Sequence, residues 1–214
     1  MIACCFEHIP LRRMDLFPSD SPANLLPYDG IANYHGRILS DCDAWDYFEA
    51  LMVTVPWKND ELVMFGKPVI TARKVAWYGD SDFPYTYSGT TKQALPWTRE
   101  LAALKMLVEK HAGASFNSCL LNLYHNGSEG MGWHSDDEKE LVPNGCIASV
   151  SLGAERKFSF RHKRTKETVS QMLEHGSLLV MKGGTQTHWH HQLPKTTKVT
   201  TPRINLTFRA MERI

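Results

Sequence analysis

Alternation of apolar and polar positions organises the second half of this chain. From Phe116 onward, seven short runs bounded by turn residues read as strands: Ser118–Tyr124, Cys146–Leu152, Lys157–Arg161, Thr168–Leu173, Ser177–Met181, Thr187–His191 and Ile204–Arg209. The first half carries the helical period instead. Asp41 is placed to cap a helix running to about Leu51, with Trp45, Phe48 and Met52 on one face. Trp97 to His111 reads as a second helix, apolar at Leu101, Leu104, Leu107 and Val108, with Gly113 as its stop. Residues 1–35 set Pro10, Pro18, Pro22 and Pro27 among polar residues and read as an extended, weakly ordered lead-in. Many short strands braced by helices predict a mainly β domain of sandwich or barrel type over 36–214.

Two strands carry polar residues on what should be a buried face. In the last, Arg203, Asn205, Thr207 and Arg209 share one side, while Ile204, Leu206 and Phe208 share the other. Guanidinium groups do not point into a core without anionic partners. The α-carbons of Arg203 and Arg209 are roughly 20 Å apart along an extended strand, and long side chains can lean together from there. A short dicarboxylate such as 2-oxoglutarate fits that requirement. In the strand 118–124, Ser118, Leu120, Asn122 and Tyr124 share a face, and the last two need hydrogen-bond partners.

Between those strands lies a metal-ligand pattern. His134 and Asp136 are one residue apart, so an extended backbone sends both side chains to the same side. Two imidazoles and a carboxylate form the facial triad that holds non-haem Fe(II) and leaves positions open. A third donor has three neighbouring candidates, His188, His190 and His191, with His188 and His190 alternating to one face and His191 to the other. H-x-D alone is weak; its company with two inward arginines gives it meaning.

His134-Ser135-Asp136, the run Thr187-His188-Trp189-His190-His191-Gln192-Leu193-Pro194, Arg203-Ile204-Asn205-Leu206-Thr207-Phe208-Arg209 and the upstream Asn122-x-Tyr124 resemble the AlkB family of Fe(II)/2-oxoglutarate dioxygenases. The resemblance runs from about Asp60 to Arg209 and is greatest to the branch acting on duplex DNA. It implies a double-stranded β-helix (jelly-roll-like), with 36–115 as nucleic-acid-recognition lid and helices and 116–214 as the catalytic core. It also implies Fe(II) on His134, Asp136 and His191, with His190 as the fallback ligand. The cosubstrate, 2-oxoglutarate, would be held by Asn122, Tyr124, Arg203, Asn205 and Arg209, with O2 as co-reactant. The implied reaction is oxidative demethylation of 1-methyladenine or 3-methylcytosine in DNA, releasing formaldehyde and succinate.

Substrate contacts follow from the same resemblance. Met64-Phe65-Gly66-Lys67 places Phe65 and Gly66 where duplex-acting relatives carry a wedge that fills the gap left by a flipped base. Arg73 follows on the next strand. Tyr85, Tyr87 and Ser88 match a lid segment, with Tyr87 stacking on the base. Asp137 and Glu138 sit beside the ligand pair, where a carboxylate favours a base made cationic by methylation.

Charge adds a direction. Residues 155–214 hold 12 Lys/Arg against 4 Asp/Glu, whereas 1–154 hold 12 against 19, although the whole chain is only +1. The run Arg156 to Lys166 reads as a basic hairpin, Phe158 and Phe160 inward and Lys157 and Arg161 outward, suited to phosphates. The five cysteines form no C-x-x-C pair and read as free thiols in a reducing compartment. No early signal-peptide pattern and no membrane-length apolar run is present. The expectation is a soluble intracellular monomer, cytoplasmic if bacterial and nuclear if eukaryotic. Two other readings stay open: a dioxygenase acting on RNA, single-stranded DNA or a protein side chain, and a non-catalytic metal-binding jelly roll.

Overall fold

The computed structural model describes residues 22–64, 67–80, 84–87 and 90–212. In chain order its elements are β1 (Ile31–Arg37), α1 (Asp41–Thr54), β2 (Lys58–Met64), β3 (Lys67–Gly79), β4 (Pro84–Tyr87), β5 (Thr90–Gln93), α2 (Arg99–Ala112), β6 (Ser118–Tyr124), β7 (Met131–His134), β8 (Ile147–Gly153), β9 (Arg156–His162), β10 (Thr168–Leu173), β11 (Ser177–Lys182), α3 (Thr185–His188), β12 (Trp189–Leu193) and β13 (Arg203–Arg209). A seven-stranded sheet ordered β1-β11-β8-β13-β6-β3-β2 faces a four-stranded sheet ordered β10-β9-β12-β7; β4 and β5 form a separate hairpin. All pairings within these sheets are antiparallel. This is the double-stranded β-helix that the resemblance implies, and it falls within the sandwich or barrel class that the strand pattern predicts.

Both faces of the large sheet are covered: the outer one is apolar throughout, and the inner one is apolar only where it meets the small sheet. On its outer side Leu121, Val150, Leu206 and Phe208 pack against Leu51, Leu101, Leu104 and Val108 of the two long helices. Each such side chain contributes about 1.5–3 kcal/mol on burial. On its inner side Ile147, Leu179 and Met181 meet Phe160, Leu173 and Trp189 of the small sheet. The inner space not filled by these residues is the site.

Both helices form where the period places them, with shifted ends. Ser40, not Asp41, caps α1, its hydroxyl accepting from the Asp43 N–H at 3.1 Å. Asp41 is the first helical residue and reaches back to Arg37. On α1, Phe48 is buried but Trp45 is exposed. Thr98 caps α2, and Gly113 closes it with φ of 64°, a left-handed conformation natural to glycine.

Two more expectations are corrected, and one strand is new. The lead-in does not extend to residue 35: β1 pairs with β11 from Ile31, and Leu26 is already in the inner core. The prolines concealed these anchors; residues 1–21 lie outside the described residues. The strand expected at Thr187–His191 divides into α3 and β12. Buried Thr185 fixes the helical turn, its hydroxyl bonding Ile31 and Lys182 backbone groups. Finally, β7 escapes the pattern because it is a four-residue edge strand of mixed exposure containing Gly132.

Among the described residues Cys42, Cys119 and Cys146 are free thiols, while Cys4 and Cys5 lie outside them. No helix of the described residues is long and apolar enough to cross a membrane.

Candidate active site

His134 ends β7, and the ladder places His191 of β12 directly opposite it. Asp136 follows two residues after His134, where the chain has left the strand. The three donors converge: His134 Nε2 and His191 Nε2 lie 3.6 and 3.7 Å from Asp136 Oδ1, with every donor atom within 4.8 Å of the others. His190 alternates to the other face, opposite Arg161 of β9, and is not in the group.

Each donor is held from behind. His134 Nδ1 lies 2.8 Å from the Gly132 carbonyl, which accepts its proton and turns Nε2 toward the site. His191 is sealed by the near-parallel ring of Phe158 at 5.4 Å and the edge of Phe160. Burial, reinforced by the neighbouring His134, lowers the His191 pKa to about 3, so its imidazole is neutral and ready to ligate at physiological pH. Burial alone would raise the Asp136 carboxyl; the Arg209 guanidinium, with His191 and His134, outweighs that and holds it below its ordinary value. Arg209 Nη2 donates to Asp136 Oδ2 at 2.9 Å, leaving Oδ1 toward the histidines. The Asp136 N–H donates to Gln186 Oε1 at 2.9 Å.

The triad opens on a cavity of about 1060 Å³ between the sheets, to which β13 and β6 contribute Arg203, Asn205, Thr207, Arg209, Asn122 and Tyr124. Alternation thus delivered both polar faces to one space. Arg203 is 2% exposed, and its Nη2 donates to Ser151 Oγ and Asn205 Oδ1, both at 2.8 Å. Its guanidinium lies 5.7 Å from the Tyr124 ring centroid. Among the described residues no carboxylate is within ion-pair distance of it, and its Nε has no hydrogen-bond partner. Burial lowers its pKa to about 10, with Arg156 pushing the same way. A buried cation without a counter-charge, facing a cavity, is a receptor for an anion. Asn122 Oδ1 is likewise buried and unpartnered in that wall. The donor set fits Fe(II), and the Arg203 wall fits a carboxylate of 2-oxoglutarate.

Other expected residues fall in more varied places. Arg209 reaches Glu138 at 3.5 Å as well as Asp136, so two carboxylates share its charge. Asp137 and Glu138 both line the cavity. Arg73 is buried in the cavity wall, tied to Asp60 and 3.4 Å from Met131 Sδ. Burial would lower its pKa, but Tyr124 and Asp60 raise it overall. Arg161 lies 4.3 Å over the Trp133 ring, half-buried. Phe65, Gly66 and Ser88, and the side chains of Tyr85 and Tyr87 on β4, lie outside the described residues.

The basic hairpin is less uniform than its sequence. Arg156 is a structural arginine, 2% exposed, whose guanidinium donates to the Asn126, Glu129 and Pro194 carbonyls. Lys163 Nζ donates to the Gln186 carbonyl at 2.8 Å. Lys157, Arg164 and Lys166 remain exposed. Sequence reasoning missed Gln186, Ser151 and Asp60, whose roles arise from contacts across the fold and carry no local signal.

Residues 32–209 match the 2OG-Fe(II) oxygenase superfamily. The chain belongs to it. Its cofactors are Fe(II) and 2-oxoglutarate, with O2 as co-reactant, and it is a dioxygenase of AlkB type. It is 46% identical over 192 residues to the DNA oxidative demethylase ALKBH2 of Homo sapiens, covering 85% of this chain and 74% of that one. The Mus musculus protein of the same name is 47% identical over 154 residues, covering 68% and 64%. The alpha-ketoglutarate-dependent dioxygenase alkB homolog 3 of Bos taurus is 42% identical over 179 residues, covering 79% and 62%. The matches thus span 62% to 74% of these relatives' length. A solved structure titled the structure of OsALKBH1 overlays with a TM-score of 0.57 at 16% identity, covering 86% of this chain and 99% of that one, which supports the jelly-roll fold.

Proposed function

We propose that this protein oxidatively demethylates alkylated bases in DNA, with 1-methyladenine and 3-methylcytosine as substrates and duplex DNA as the preferred context. The observation that carries the chemistry is the single cavity shared by the His134–Asp136–His191 triad and the unpaired cation Arg203. The names of the similar proteins, DNA oxidative demethylases, support the substrate class.

Fe(II) with 2-oxoglutarate, held by these residues, would supply dioxygen activation: the cosubstrate would lose carbon dioxide and become succinate with one oxygen atom, and the other would hydroxylate the N-methyl group, which would leave as formaldehyde. The chain's own residues do the positioning. Arg203, backed by Ser151 and Asn205, receives the distal carboxylate of the cosubstrate, with Tyr124 and Asn122 beside it. Arg209 holds the Asp136 carboxylate in one orientation and ionised. Phe158 and Phe160 pack against the His191 ring and keep it buried. Glu138 and Asp137, on the same cavity, favour a cationic methylated base over a neutral one. Phe65 wedges the stack, Tyr85, Tyr87 and Ser88 cover the flipped base, and Arg161 and the exposed hairpin lysines face phosphates.

The test is direct. The protein is incubated with an oligonucleotide bearing one 1-methyladenine, together with iron, ascorbate and 2-oxoglutarate, and formaldehyde is measured. Stoichiometric release, faster in duplex than in single strand, is expected. Release from methylated RNA alone would move the substrate, and no release from any nucleic acid would overturn the reading.

A further inference from the structure

A second group of metal-type donors stands apart from the triad and shares no residue with it. Asp29, in the turn before β1, His162, at the end of β9, and His188, at the end of α3, bring one donor atom each within 4.8 Å of the other two. The three come from separate parts of the chain, so only the fold unites them. His162 is 2% exposed, and its Nε2 is buried without a hydrogen-bond partner. That nitrogen lies 3.3 Å from Asp29 Oδ2, close but not bonded. A buried polar atom with nothing to bond demands an explanation.

The ring has little freedom to find one elsewhere. Tyr28 and Trp189 pack edge-on against it at 5.0 and 4.9 Å, and Thr165 occupies Nδ1 through its N–H at 3.1 Å and its hydroxyl at 3.0 Å. Nε2 can therefore face only Asp29 and His188. His188 lies nearly parallel to His162, centroids 6.4 Å apart, and is exposed. A side chain on Gly184 would come within 3.0 Å of His188 Cδ2, so glycine is what lets this ring lie here.

We propose that Asp29, His162 and His188 form a second divalent-metal site, of the borderline class that takes two imidazoles and a carboxylate, Zn²⁺ first among them. Donors around a tetrahedral zinc are roughly 3.4 Å apart, given bond lengths of about 2.1 Å. The His162–Asp29 pair already has that spacing, and the exposed His188 closes the third edge by rotation. Before a cation binds, the Thr165 N–H holds Nδ1 as an acceptor and the ring proton sits on Nε2. Binding at Nε2 moves that proton to Nδ1, which donates it to Thr165 Oγ1. The ring thus stays neutral, at the cost of one backbone hydrogen bond.

Such an ion would fasten the segment before β1 to the base of the basic hairpin. The Tyr28 hydroxyl already reaches Thr165 and Glu167 there, at 2.8 and 2.7 Å, and its carbonyl accepts from Trp189 Nε1 at 3.0 Å. The site would reinforce a junction that positions the hairpin on one side and β12 on the other.

The full-length chain, stripped of metal and supplied with 2-oxoglutarate, is titrated with Co²⁺ and Zn²⁺, and bound metal is counted by calorimetry and elemental analysis. Two equivalents are expected in the wild type and one in His134→Ala, in which the catalytic triad is broken. Asp29→Asn and His188→Ala, both at exposed positions, should each weaken the second equivalent at least tenfold and leave the first unchanged. In the His134→Ala background, Zn²⁺ should raise the melting temperature, and adding Asp29→Asn should abolish that shift. A single equivalent in the wild type, or a second that survives both exposed substitutions, overturns the proposal without touching the catalytic reading.

Discussion

At the scale of single residues, two arginines six positions apart on one strand face do different work. Arg209 is balanced by Asp136 and Glu138, whereas Arg203 has only neutral partners in a buried setting. Sequence alternation predicts both to point inward, and both do, yet it cannot distinguish them: the partners come from distant residues before β8 for Arg209 and from β8 and its own strand for Arg203. The difference sets the outcome of mutation. Arg203→Ala removes a charge-assisted interaction of about 1.5–3 kcal/mol with the cosubstrate, so KM for 2-oxoglutarate should rise roughly 10- to 100-fold. The metal site, which Arg203 does not touch, should keep its Fe(II) affinity. Steady-state kinetics alongside a metal titration checks this, and an unchanged KM would remove Arg203 from the cosubstrate grip.

At the scale of elements, the strands that alternate regularly were legible and the short ones were not. β6, β10 and β13 fall at or within one residue of expectation because their inner and outer faces are both committed. α3 and β7 are four residues each and owe their form to tertiary contacts, so no periodicity could announce them. They nonetheless fix the metal ligands. α3 presents Gln186 to the Asp136 N–H, and the same residue's carbonyl takes Lys163 from the hairpin base, joining the basic hairpin to the catalytic carboxylate. Gln186→Ala should therefore weaken Fe(II) binding by about 10- to 100-fold, the range for removing a partner that orients a ligand. The fold should persist, since Gln186 is only half-buried. The absorbance of the Fe(II)–2-oxoglutarate complex measures it; unaltered affinity would mean that β7 and β12 alone set the Asp136 geometry.

At the scale of the molecule, the charge asymmetry of the sequence resolves into a surface and an interior. Arg156, Arg203 and Arg209 lie inside, so the exposed charge of the hairpin reduces to Lys157, Arg164 and Lys166, with Arg161 stacked on Trp133 at its edge. Composition counted all of these alike, which is why the basic run over-predicted the patch. The correction sharpens the expected experiment. Reversing Arg164 and Lys166 to glutamate should weaken duplex repair several-fold and flatten its dependence on salt, because each phosphate no longer neutralised takes away about one unit of slope in log affinity against log salt. Repair of the same lesion in a short single strand should change much less, since such a strand offers the tip far fewer phosphates. Charge reversal at Arg156 should instead unfold the loops it pins and abolish both activities together. Equal losses on duplex and single strand from the tip substitutions, with the melting temperature unchanged, would place the second strand elsewhere on the protein.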